Sequence, residues 1–394
     1  MRIDDAKKGL VAVVRREIDR MVSRRLYFGV TVILPLFCIF FMATIFNNGQ
    51  MENIPIGVVD LDQTSTSRNI IRNVDAVPTV HVASHFVNAS EARLATQEKK
   101  IYGYLVIPRN FESRMMDGKS TSLDYYYHYA LLSVGGEVLG AFENVLEPIA
   151  VTPVIMKGSS LGLTSDQIMN FIMPTEQRSQ PLFNPDLDYS IYLSVPFFFV
   201  FLQVLILLTS VYIVGSEINF HTAEEWIATA GGNIFVAVFG KFLPYTFLFS
   251  VITIFANYVM FGLMQIPFSC GYLPLNLSSI LLVIASQGLG LFLFCLFPVM
   301  GLIISIVSMV GSLGATLSGV TFPVPAMYPI VHAASYLFPI RHFVLINQNL
   351  LYGDYGFGYT WHNYVVLFIY LLLPLFLLPR LKRIIITHKY EGIE

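Results

Sequence analysis

From Phe242 to Ile340 the chain runs for 99 residues without one Asp, Glu, Lys or Arg. A water-facing surface of that length needs charge. A single helix of that length is far too long for one bilayer crossing, which takes about 20 residues. The run must therefore be several apolar segments packed side by side. Pro267, Gly271 and Pro274 punctuate it, then Pro298, then Pro323, Pro325 and Pro329. This predicts spans near 242–264, 275–297 and 299–318. Only 13% of the 394 residues are charged and 55% are hydrophobic. Soluble domains carry about 25% charged residues, so much of this surface meets lipid.

Three further apolar runs complete the set. Leu26–Phe46 holds 21 uncharged residues, enough at about 1.5 Å per residue to cross a core of roughly 30 Å. It follows a basic flank, as a secretory signal would. It is longer than a signal's apolar core, and Asn47-Asn48-Gly49 offers no small-residue cleavage motif. It is read as an uncleaved first span. Ile191–Val214 is the second and Trp361–Pro379 the sixth, with Tyr355, Tyr359 and Trp361 suited to an interfacial aromatic belt.

Charge placement sets the orientation. Arg2, Lys7, Lys8, Arg15, Arg16, Arg20, Arg24 and Arg25 precede the first span, and Arg380, Lys382, Arg383 and Lys389 lie in a basic tail at 380–394. The positive-inside rule puts both ends in the cytoplasm. Segments 47–190 and 319–360 then face out, and the turns at 215–240 and 298 face in. The expectation is a multi-pass protein of a plasma membrane, of the bacterial inner-membrane kind, with the lipid bilayer as its first partner. A net charge of −2 makes no field that draws nucleic acid. Cys38, Cys270 and Cys295 lie in or beside apolar runs and read as small fillers, not as disulfide or metal chemistry.

Residues 1–25 form a cytoplasmic amphipathic prelude, with Ile3, Leu10, Val11, Val14, Ile18, Met21 and Val22 at near-helical spacing. Two compatible readings stand: a helix lying on the inner leaflet, or one covered by a partner protein. Segment 47–190 holds ten basic and sixteen acidic residues and alternates strand-like with helix-like patterns. Strands are predicted at 54–59, 79–82, 101–107 and 123–129, and helices at 66–74, 91–100 with Ser90 as N-cap, 111–116 and 137–147. Thr164 and Gln167 read as a capping box. The fold class is thus an α-helical membrane protein with six transmembrane helices and an α/β extracytoplasmic domain inserted between helices 1 and 2. Asp60 and Asp62 follow a strand, where ligand sites occur, but beside Thr64, Ser65 and Thr66 they read as a turn and helix cap. His81 and His85 span a strand end, a poor metal site. Tyr125, Tyr126, Tyr127 and Tyr129 read as sheet packing before a sugar- or drug-binding face, and Asn88-Ala89-Ser90 is a sequon of a kind common by chance.

The inward turn between spans 2 and 3 reads GSEINFHTAEEWIATAGG from Gly215 to Gly232. Thr222 and Glu225 form a capping box that starts a helix at Ala223, and Gly231-Gly232 ends it. A short capped helix at 223–230 is either a lever worked by a cytoplasmic partner or an anchor with Trp226 in the headgroups. Glu217 and Lys241, at the adjoining span ends, either pair across the turn or snorkel to headgroups.

The pattern Glu217, Thr222, Glu224, Glu225, Trp226, Thr229 and Gly240-Lys241 resembles the type-2 permease family of ATP-binding-cassette (ABC) exporters. Ile56 to Asp62, Ser67-Arg68 and Tyr104 to Pro108 before Phe111 are similar to family members with a large extracytoplasmic domain. Ser318-Gly319, Pro323, Met327 and Pro339 to Arg341 look like the family's segment after span 5. The chain departs from the pattern at His221, where a Gly is usual, and at Gly231-Gly232.

The resemblance implies that 223–230 is the coupling helix that docks into the ATPase, and that 319–341 forms re-entrant helices on the translocation path. It implies an ABC ATPase subunit and a second permease chain, identical or not, as partners. It also implies ATP and Mg on the ATPase, with none bound by this chain. Gly240-Lys241 is no phosphate loop, since Phe242 follows and Phe235 stands where the first Gly belongs.

The expected function is therefore the membrane subunit of an ATP-driven exporter. The near-absence of charge along the spans points to a hydrophobic or amphipathic cargo. The outer domain would gate exit or meet a periplasmic adaptor. An ion-coupled carrier is the first alternative; it lacks embedded proton-relay acids and an evident inverted repeat. An envelope receptor or assembly protein is the second; it leaves five further spans unexplained. No catalytic constellation supports a membrane enzyme.

Overall fold

The computed structural model describes residues 9–45, 49–117, 119, 121–164, 167, 168, 170, 182–184, 188–353 and 356–387. Arg2, Ile3, Lys7, Lys8, Asn47, Asn48, Asp354, Tyr355 and Lys389 lie outside the described residues. The chain forms two compact units, one of residues 48–187 and one of 1–47 with 188–394.

The continuous unit holds a four-stranded sheet in the order β2-β1-β3-β4, built from β1 Ile54–Asp60, β2 Val80–His85, β3 Gly103–Ile107 and β4 Asp124–Tyr127. β1 runs parallel to β2 and β3, and β4 is antiparallel to β3. Its helices are α3 Ser65–Asp75, α4 Ala89–Gln97, α5 Phe111–Met116 and α6 Leu132–Ser160, following α1 Leu10–Ser23 and α2 Arg25–Ile45 of the other unit. β1, buried along most of its length, separates two apolar clusters. One takes Ile56, Leu105 and Ile107 with α3, α5 and α6; the other takes Val59 and Tyr104 with α4. Asp60 and Asp62 act as a turn and a cap. Asp60 accepts from the Asp62 and Gln63 amides at 3.0 and 2.9 Å. Asp62 accepts from the Phe111 and Glu112 amides that open α5. Asn88, not Ser90, caps α4, because its side chain reaches the Glu91 amide at 3.0 Å. Tyr125 and Tyr127 pack into the sheet's core, and the Tyr104 and Tyr126 rings stack. His81 pairs with Asp75 at 3.0 Å, and no metal-holding group of His, Cys, Asp and Glu occurs among the described residues.

The other unit is helical. After α1 and α2 come α7 Ser190–Asn219, α8 Ala223–Thr229, α9 Ile234–Leu263, α10 Tyr272–Leu296 and α11 Met300–Leu317. They are followed by α12 Pro329–Ser335, α13 Pro339–Gly353 and α14 Phe357–Ile386. α7 lies at the centre, against α10 and α11, and α10 also packs on α9 and α14. Small residues let the backbones approach. Gly290 of α10 meets Ser210 and the Leu207 carbonyl of α7, and Gly288 faces the Tyr370 carbonyl of α14. α9 starts at Ile234, earlier than the 242 expected. Asn233 caps it by accepting from the Phe235 amide, which places Lys241 about two turns inside the helix.

Among the described residues seven helices are long and apolar enough to cross a membrane, against the six expected. The extra one is α6, which was expected only over 137–147. Its Val138, Ala141, Phe142 and Leu146 are buried under the sheet of its own unit. α12 and α13 form a pair bent by 86°. The bend sits where Pro339, lacking an N–H, begins a fresh helix.

The Gly288 approach gives a direct test. Gly288→Val puts side-chain atoms into the Tyr370 carbonyl and should lower stability by about 1–3 kcal/mol. Gly140→Ala, in open space within α6, should raise it by about 0.5–1 kcal/mol. Thermal unfolding of the purified protein in detergent reads both.

Candidate functional site

The functional side chains gather where α1, the end of α7, α8 and the first two turns of α9 meet. Glu17, Glu217 and Lys241 are fully buried there, although charged groups are rarely buried unless paired. Lys241 Nζ donates to Glu217 Oε1 at 2.7 Å and to Glu17 Oε2 at 2.6 Å. Tyr245, one turn further along α9, donates its hydroxyl to Glu17 Oε1 at 3.0 Å. From α1, Arg16 donates to both Glu217 oxygens at 2.7 and 3.1 Å, a bidentate pairing. Arg20 donates to Glu217 Oε1 and, at 2.9 Å, to the Thr222 hydroxyl. Three cations thus converge on two buried carboxylates, with Glu225 at the rim 3.6 Å from Arg16 Nε. Burial works against the Arg16 charge, but the hydrogen bond to Glu217 and the nearby carboxylates hold the guanidinium above its ordinary range.

Of the two readings for Glu217 and Lys241, pairing across the turn is the observed one. The Thr222–Glu225 capping box does not form. The Thr222 hydroxyl donates to Glu217 Oε2 instead and makes no cap bond to α8. The hydroxyl's proton goes to Glu217 and its oxygen accepts from Arg20 Nη2, so both its donor and its acceptor sides serve the cluster. Trp226 is not in a headgroup layer. It is fully buried, its Nε1 donates to the Ala237 carbonyl at 3.1 Å, and Lys241 Nζ lies 5.1 Å from the ring centre. Thr229 is half-buried; its hydroxyl donates to the Glu225 carbonyl at 2.8 Å and its carbonyl accepts from the Gly9 amide at 2.9 Å. Glu224, Glu225 and Ala228 are exposed. His221, where the family pattern has Gly, has φ 57°, the left-handed region that explains the usual Gly.

α8 is held to α9 by the buried Trp226 and to α1 by the Arg16–Glu225 pair at its rim, and Glu224, Glu225 and Ala228 line its exposed side. The pattern at 215–241 located Glu217, Thr222, Trp226 and Lys241 but missed Arg16, Glu17, Arg20 and Tyr245. The signal was present. Val13, Arg16, Glu17 and Arg20 follow i, i+3, i+4, i+7 spacing and make a second face on α1. The apolar stripe hid it; Val11, Ile18 and Val22 of that stripe are exposed.

A second group forms after α11. Gly319 has φ +90°, and a Cβ there would collide with Arg341 Nη1. Arg341 is buried, donates to the Ser318 carbonyl at 3.0 Å and lies 5.9 Å from the Tyr336 ring centre. Pro323 and Met327 flank a short turn at Val324–Ala326, whose Val324 also lies beside Gly319, and Pro339 opens α13. His342, unnoticed in the sequence, bridges Asn363 and the Tyr336 carbonyl at 2.9 Å each.

The sequence pattern of the ABC-2 family transporter protein matches residues 25–378. The chain belongs to the ABC-2 transporter permease family. Permeases of this family are the membrane subunits of ABC transporters, and their ATPase is a separate protein. This permease is accordingly a multi-pass membrane protein with an implied ATPase partner. No curated protein matches it closely enough to count as a relative.

Two substitutions probe the permease. Lys241→Met leaves Glu17 and Glu217 buried without the cation between them, and should cost about 3–5 kcal/mol. Adding Glu17→Gln should recover part of that loss in a thermal-unfolding double-mutant cycle. Gly319→Ala, strained by its φ and by Arg341, should destabilise by more than about 1 kcal/mol in the same assay.

Proposed function

We propose that this permease is the translocating half of an ATP-driven exporter, and that α8 is its coupling helix. The observation that carries the reading is the buried cluster of Glu17, Glu217 and Lys241. It ties α1, α7 and α9 to one another, and α8 is held beside it by Trp226, whose Nε1 donates to the Ala237 carbonyl and whose ring lies against Lys241, while Glu224, Glu225 and Ala228 stay exposed. Closure of an ATPase beneath, with ATP and Mg bound by that subunit, would push this face and swing α7 and α9 together. Glu217, Thr222, Trp226, Thr229 and Lys241 are positioning residues in this scheme, and the docking contact falls to Glu224, Glu225 and Ala228.

Six spans complete the reading: α2, α7, α9, α10, α11 and α14. α6 is assigned to the extracytoplasmic unit, whose sheet it covers, and α12 with α13 to the re-entrant pair holding Gly319, Pro323, Met327, Pro339 and Arg341 along the path. Six crossings put both termini in the cytoplasm of a bacterial inner membrane, next to the basic residues. A second permease chain is placed against α11, where Met309 and Leu313 are exposed. A hydrophobic or amphipathic cargo is supported by a recess of about 220 Å³ between α2, α7 and α11, walled by Leu26, Val30, Leu205, Leu208 and Ile304. Tyr27, which also lines it, touches Ser216 at 3.0 Å, one residue from Glu217. The outer unit would gate release or meet a periplasmic adaptor.

The test is co-purification of the ATPase encoded beside this permease, with ATP turnover measured in vesicles. Glu224→Lys with Glu225→Lys, and separately Ala228→Trp, should abolish co-purification and coupled turnover while the melting temperature holds. Wild-type assembly and turnover in both variants would reject the docking role.

A further inference from the structure

The geometry points to a binding site for one anionic phospholipid between α9, α10 and α14, with its headgroup at Lys382. A cavity of about 520 Å³ lies there, walled by Phe235, Phe239, Leu243, Ile284, Leu375 and Leu378. In its wall the Thr246 hydroxyl donates to Gln287 Oε1 at 2.6 Å, and most of the remaining lining is apolar. The cavity therefore offers an apolar chain dispersion contact along its walls and demands little hydrogen bonding.

Its mouth is basic. Lys382 lies one helical turn beyond the lining residue Leu378, on the same side of α14. Its Nζ donates to the Gly232 carbonyl at 2.7 Å, three residues before the lining residue Phe235. Both walls of the cavity thus converge on one ammonium. Arg380 and Arg383, both exposed, flank it on the same short stretch. A cation at the end of a span, above an apolar slot open to the bilayer, matches a phosphate joined to an acyl chain. Each Lys or Arg near a membrane surface favours anionic lipid by about 1 kcal/mol, and only two of the three ammonium donors at most are needed for Gly232 and one phosphate oxygen. A zwitterionic lipid would place its own cation among these three. The site adds a ligand to the family assignment and does not depend on α8 docking an ATPase.

Full-length permease is taken from vesicles of equal phosphatidylglycerol and phosphatidylcholine with identical acyl chains, and the retained lipid is weighed by mass spectrometry. The wild type retains phosphatidylglycerol in excess. Lys382→Gln lowers that excess about fivefold, the loss expected for one cation. Leu243→Trp fills the slot with the charge intact and also lowers retained phosphatidylglycerol. Leu243 is 38% exposed, so the larger ring does not enter the packed core. Arg15→Gln, a basic residue on α1, leaves retention unchanged. Three outcomes overturn the site: no excess in the wild type, wild-type retention in Leu243→Trp, or an Arg15→Gln loss equal to that of Lys382→Gln.

Discussion

Everything near the turn between α7 and α9 depends on one buried ammonium placed between two buried carboxylates. Lys241 is fully buried between Glu17 and Glu217, and each partner comes from a different helix. Such a group is unfavourable alone and is tolerated only when its charge and its donors are matched. The match fixes the relative placement of α1, α7 and α9 more tightly than apolar packing would, because apolar contact is non-directional. Thr222 gives up its role as a helix cap to serve the same carboxylate. Trp226 closes the cluster from the α8 side. The short helix inherits its orientation from this junction.

Much of this was legible in the sequence, for physical reasons that differ by element. Charge-free runs forecast the spans because lipid tolerates little else, and proline marked the breaks between them. β1, β3 and α5 were recognised because strand alternation and a short helical pattern carry local signals. The junction was half legible. Glu217 and Lys241 stood out as isolated charges in apolar surroundings, but their partners on α1 lie 197 to 224 residues away in sequence, and no local rule reports such a pairing. Arg16, Glu17 and Arg20 were visible as residues and invisible as a site. Their charge was counted towards orientation, and the apolar stripe on the opposite face of α1 drew the reading towards the membrane. The polar face is the one packed inward.

α6 shows the opposite failure. Hydropathy over its 29 residues reaches that of a membrane crossing, yet its apolar side is spent on a sheet within its own unit. Length and composition alone do not distinguish a helix that buries its stripe in protein from one that buries it in lipid. Val138, Phe142 and Leu146 show that part of its apolar side is buried against its own unit. The bent pair α12–α13 was marked by Pro323, Pro329 and Pro339, while the reach of its second limb to Gly353 carried no comparable mark.

The match to the family pattern opens at residue 25, and α1 ends at Ser23. A polypeptide trimmed to that boundary would lose Arg16, Glu17 and Arg20 together. Glu217 would keep Lys241 and the Thr222 hydroxyl, Lys241 would lose one of its two carboxylates, and Tyr245 would lose its acceptor. The junction is thus completed by a helix that lies ahead of the matched segment.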